Sequence, residues 1–175
     1  MRMSGQTGPM PTRVTKGPKL GRFLVGLALW TMAVLCIGST QAATLLDRLM
    51  GSWSGSGQIR YDDGQSEGVR CSAYYTGGSD RLRLAIRCRS DSTEVEIRGL
   101  LTRQGEKLAG TWEERTFNAS GEASGRIAGD KMSLSVSGGG FSGSMTVASA
   151  GSRQVVTIST QGIRMRSVNV TLAKG

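Results

Sequence analysis

Chemistry needs nucleophiles, acids, bases or metal ligands at workable spacing, and few stretches of this chain offer them. Glu113 and Glu114 follow Trp112 directly. A carboxylate pair can share acid and base work, but neighbours on a strand point to opposite faces. If Trp112 faces inward, Glu114 does too, and Glu113 faces water. Glu114 is then expected as an interior carboxylate in a structural role, with Arg98 or Arg126 as its partner across the sheet. Tyr74 and Tyr75 repeat the pattern, one in and one out, with Tyr75 as the inner side chain. The sequence has no histidine, which removes Ser-His-Asp and Cys-His arrangements and the commonest metal ligand together. No nucleophile, base and orienting group can be assembled. The expectation is a protein that is not an enzyme, with no catalytic residue, no metal site and no cofactor.

Two cysteines, Cys71 and Cys88, lie beyond the N-terminal segment, and a third, Cys36, lies within it. An even count in an exported chain points to a disulfide. The sixteen residues between Cys71 and Cys88 make an unstrained bridge worth about 3 kcal/mol in the chain-entropy picture.

Export itself is read from the N-terminus. Arg2, Arg13, Lys16, Lys19 and Arg22 precede any acidic residue, and Phe23 to Ile37 then runs without a charge. This is the layout of a signal peptide, with Thr40 and Ala42 as the small residues of a cleavage site. The apolar run is shorter than the roughly 20 residues a spanning helix needs. The expected organisation is a signal peptide over 1–42 and a single domain over 43–175, periplasmic or secreted, with no stable membrane span after cleavage. Removing 1–42 takes five basic residues and none of the 13 acidic ones, so the net charge falls from +9 to +4. Much of the basicity belongs to the export segment, and no nucleic-acid partner is expected.

The rest of the chain must position whatever function there is. Short runs of alternating apolar residues recur every eleven or twelve positions, separated by turn formers such as Asp62-Asp63-Gly64, Gln104-Gly105, Gly129-Asp130 and Gln161-Gly162. These loops are too short for parallel crossovers, so neighbouring strands should be antiparallel. Ten strands are expected: 53–61, 68–75, 81–89, 93–103, 107–117, 122–128, 131–137, 141–148, 153–160 and 163–172. One hairpin tests its own register. With Ser79 and Asp80 as the loop, Cys71 falls opposite Cys88, Ala73 opposite Ile86 and Tyr75 opposite Leu84. Apolar side chains then meet on one face while Arg70, Arg83, Arg87 and Arg89 point to water. The last strand changes phase, so a bulge is expected near Arg166 or Ser167. Gly99, Gly110, Gly125 and Gly143 fall on the inward phase, where bends explain them better than room for a guest. The fold expected is all-β: an antiparallel up-and-down meander of about 8–10 strands closed into a barrel, with a β-sandwich as the alternative.

Thr44 to Met50 has helical spacing of leucines, and Gly51-Ser52-Trp53 opens the first strand. A short helix followed by Gly-x-Trp at the start of such a barrel resembles the lipocalin, or calycin, pattern. That resemblance implies a helix plugging the closed end and Trp53 packed under an Arg of the last strand, here Arg164 or Arg166. The wider layout, with its Trp-Ser-Gly-Ser-Gly strand, two cysteines and Gly-Thr-Trp-Glu-Glu, looks like small uncharacterised exported proteins of alphaproteobacteria, which implies a periplasmic address. The expected function is to carry or sense a small apolar ligand in the barrel, with Trp53, Tyr75, Trp112, Glu114 and Arg164 as candidate binding residues. The alternative is a protein-interaction or inhibitor module with an envelope protein partner, using the outward row Arg81, Arg83, Arg87 and Arg89.

Overall fold

The structure, a computed structural model, describes residues 44–175. The expected signal peptide and its cleavage point lie outside the described residues, as does Cys36. Among the described residues no helix is long and apolar enough to cross a membrane.

One short helix, α1 (Leu45–Leu49), precedes ten strands: β1 (Gly51–Tyr61), β2 (Ser66–Gly77), β3 (Arg81–Arg89), β4 (Glu94–Gln104), β5 (Lys107–Glu114), β6 (Ala119–Ala128), β7 (Lys131–Gly138), β8 (Phe141–Ala150), β9 (Arg153–Gln161) and β10 (Met165–Lys174). Each strand pairs antiparallel with the next, and β10 returns to β1, so the sheet closes into a barrel rather than folding into a sandwich. Closure leaves no free edge, which is how a chain of alternating strands avoids edge-to-edge association.

The hairpin β2–β3 pairs Cys71 with Cys88, Ala73 with Ile86 and Tyr75 with Leu84, and the two cysteines form a disulfide. The phase change in β10 is also present: Arg60 pairs with Ser167 but Tyr61 pairs with Met165, so Arg166 has no partner on β1. Two strand ends differ from the alternation. β5 stops at Glu114, because Arg115–Asn118 makes a turn in which Asn118 adopts φ 53°. β6 starts at Ala119, three residues before the pattern becomes apolar.

The inward glycines mostly mark close backbone approach. A Cβ on Gly110 would lie 1.9 Å from the Leu100 carbonyl oxygen, and one on Gly125 would lie 2.0 Å from that of Ser133. Gly99 is different. A Cβ there would meet only the Leu84 side chain, at 3.1 Å.

Helix α1 starts with a capping box, in which Thr44 and Asp47 satisfy each other's backbone N–H groups. Hydrogen bonds from Thr44 hold the Asp47 carboxyl below its usual pKa. Leu45, Leu46 and Leu49 are buried against the barrel. Trp53 is buried below the helix, its indole N–H donating to the Leu49 carbonyl at 2.7 Å. The cation over its ring is Lys174, 5.3 Å from the centroid, not Arg164 or Arg166. Antiparallel register decides this: Trp53, near the start of β1, pairs with Lys174 at the end of β10. The two arginines lie at the other end of the barrel.

Candidate ligand cavity

Burial is graded along the barrel. Near α1 the inward side chains are sealed: Leu82, Met132 and Val147 are 0% exposed. Toward the opposite end, the inward residues Val95, Ile97, Val136, Ile158 and Met165 are only half-buried. They border a cavity of about 570 Å³. Every loop at that end contributes to its wall: Tyr61 at the end of β1, Ser92 and Thr93 between β3 and β4, Phe117 after β5, Gly139 after β7, and Ile163 and Arg164 before β10. Helix α1 therefore closes one end, and the five loops frame a mouth at the other.

The wall is mainly apolar. Trp112 and Phe141 pack with centroids 5.0 Å apart and planes tilted by 55°, and the Trp112 indole N–H donates to the Ser137 carbonyl at 3.3 Å. Leu101 and Leu134 reach the wall from the sealed half, and Gly99 borders it where a side chain is missing.

Polar groups are few and tied. Glu114 is buried and accepts backbone N–H bonds from Glu96 (2.9 Å), Thr116 (3.1 Å) and Phe117 (2.6 Å). This anchors the β5–β6 turn, a structural role as expected, but through main-chain donors rather than Arg98 or Arg126. Arg98 instead bonds Glu96, whose carboxyl is held low first by its bond from Arg87 and then by that from Arg98. Glu113 is exposed.

At the mouth Arg164 lies 5.8 Å from the Tyr61 ring centroid and donates to Asp63 at 2.9 Å, with Asp62 at 3.8 Å. Glu67 sits beside this group. Its Oε1 accepts from the hydroxyls of Tyr61, Ser90 and Ser92, the last two at 2.7 Å. These bonds, that from Tyr61 foremost, lower its carboxyl pKa.

Of the residues singled out in the sequence, Trp112, Glu114 and Arg164 line the cavity. Trp53 and Tyr75 sit in the sealed half. The Tyr75 hydroxyl donates to Gln154 at 3.2 Å, and burial pushes its pKa far above the ordinary tyrosine value. Glu67 was not singled out, although a signal was present. It shares the period-two phase of Val69, Cys71, Ala73 and Tyr75, and a carboxylate on an apolar phase asks for a partner.

Among the described residues no cluster of acidic and cysteine side chains could hold a metal ion. No family profile matches the sequence, and no curated protein matches it either. The crystal structure of Rv2717c from M. tuberculosis matches with a TM-score of 0.59 at 13% identity, over 77% of this chain and 99% of that one. The S-type phycobiliprotein lyase CPES from Guillardia theta matches with a TM-score of 0.51 at 12% identity, over 74% and 90%. Both likenesses are to the barrel. This chain shares their fold. At such identities the likeness extends no further, and since one of the two is a lyase, the barrel by itself does not exclude catalysis.

Proposed function

We propose that the chain is a non-catalytic exported protein that holds a small apolar ligand in the open half of its barrel. The observation that carries this reading is the cavity of about 570 Å³, which falls within the size range of small-molecule sites. Its composition supports the same reading: a few polar groups at the rim and an apolar interior walled by Trp112 and Phe141. Of the candidate residues, Trp112 supplies contact area, Arg164 stands at the entrance, and Glu114 fixes the turn that carries Phe117. Trp53 and Tyr75 act by holding the closed end in shape. The lack of histidine, and with it of any Ser-His or Cys-His pair, favours binding over chemistry. Export, cleavage after Ala42 and a periplasmic address rest on the basic and apolar N-terminal segment together with the Cys71–Cys88 disulfide.

The neutral probe N-phenyl-1-naphthylamine tests the reading. Its fluorescence is expected to rise on mixing with the protein, and Val136→Trp, at a half-buried wall position, should weaken binding about tenfold or more by filling the space. Unchanged binding in a folded Val136→Trp protein would move the probe site out of the barrel.

A second reading, an envelope protein partner at the outer face, is favoured by a groove across β2–β6 in which Tyr74 and Leu100 stand 54% and 44% exposed beside Arg83. Within the arginine row, Arg87 and Arg89 are already paired with Glu96 and Glu94.

A further inference from the structure

The hydroxyl hydrogens at the cavity mouth are already committed. Tyr61, Ser90 and Ser92 all donate to Glu67. Thr160 donates to the Met165 carbonyl. The single proton of the Thr93 hydroxyl has the Tyr61 oxygen at 3.4 Å and the Ser92 oxygen at 3.3 Å to serve. A hydroxyl that has given its proton still offers lone pairs. Tyr61, Ser92, Thr93 and Thr160 therefore line the cavity as acceptors.

Charge points the same way. Among the described residues the one cation of the wall, Arg164, faces two carboxylates, Asp62 and Asp63. Among the described residues Glu67 and Glu114 make no ion pair, and the bonds to Glu67 come from the neutral hydroxyls of Tyr61, Ser90 and Ser92. The mouth thus combines the charge of Glu67, set behind the Tyr61 and Ser92 hydroxyls rather than on the wall, with hydroxyl acceptors above an apolar interior. A carboxylate head group placed there would set acceptors against acceptors and lose its bonds to water without replacement. An N–H-bearing cation would find both charge and partners.

Resting on the cavity reading, we propose that the guest is a cationic amphiphile, its apolar chain against Trp112 and Phe141 and its protonated amine at the mouth beside Glu67. The head group is held by the Tyr61, Ser92 and Thr93 oxygens, with the Glu67 carboxylate behind them supplying the charge.

The test is displacement of N-phenyl-1-naphthylamine from the purified protein by decylamine, decanol, decyltrimethylammonium and decanoate, at neutral pH and below their micelle concentrations. Decylamine is expected to displace the probe at a concentration about tenfold or more below that of decanoate. Decyltrimethylammonium, charged but without N–H, should be weaker than decylamine. Glu67→Gln should narrow the amine-to-carboxylate ratio to about threefold or less. Decanoate binding as tightly as decylamine in the wild-type protein would overturn the proposal and leave the cavity reading standing. If decanoate led in the wild type and lost that lead in Arg164→Gln, the guanidinium would be the head-group ligand and the proposal would fall in favour of an anionic guest. Failure of the probe and of all four amphiphiles to bind would overturn the cavity reading itself.

Discussion

Glu114 shows how one side chain can look functional and act structurally. It is buried on the cavity wall, as a catalytic acid would be, yet both of its oxygens are occupied by N–H groups of Glu96, Thr116 and Phe117. Glu114→Ala removes the acceptor and leaves those donors to find water in a partly closed turn. An unsatisfied buried donor costs about 1–3 kcal/mol, so the variant is expected to lose about 3 kcal/mol, read as a lower urea midpoint with an unchanged slope. An unaltered midpoint would mean that water replaces the carboxylate without loss. The in-and-out placement of Glu113 and Glu114 was legible, because it needs only strand periodicity. The identity of Glu114's partners was not, because main-chain donors in a turn leave no residue-type signature. Glu67 was missed for a related reason: Ser90 and Ser92 reach it from a loop, and loops do not follow the period of two.

Among the elements, the hairpin of β2 and β3 was the most legible, since turn position, charge alternation and cysteine spacing each fix the same register. Where those signals conflict, strand ends move. β5 was read through to Phe117, but the turn begins at Arg115 and ends on Asn118 at φ 53°, which leaves Phe117 68% exposed at the mouth. The Trp53 partner was misplaced because the resemblance supplied an arginine while the register supplies Lys174. The inward glycine Gly110 was read as a bend, and what it marks is close approach of the neighbouring strand. There Gly110→Val would drive a side chain into the Leu100 carbonyl, 1.9 Å from the ideal Cβ position. Its expected cost is about 3 kcal/mol, measured by denaturant unfolding. A loss no larger than that of an exposed Ala109→Val control would show that β4 and β5 can separate without penalty.

At the scale of the molecule, the barrel divides into a sealed half and an open half. Helix α1, Trp53 and the residues with no exposed surface make the first, and the five loops around Arg164 make the second. Closure was legible from the strand count, since a long open sheet would leave exposed edges. The cavity was not, because the sequence alternates in both halves alike. What separates them is how fully the inward side chains meet across the axis, a property of barrel shape and side-chain size together. The disulfide bridges β2 and β3, and among the described residues no helix could anchor the chain in a membrane.

The central claim is that the open half holds a guest. Native mass spectrometry of the protein purified gently from its own cells, compared with its denatured mass, tests this most directly. The account predicts a polypeptide mass matching residues 43–175 less two hydrogens, with a native excess of a few hundred daltons that disappears on denaturation. A native mass equal to the denatured one, remaining so after incubation with decylamine and with decanol, would contradict it.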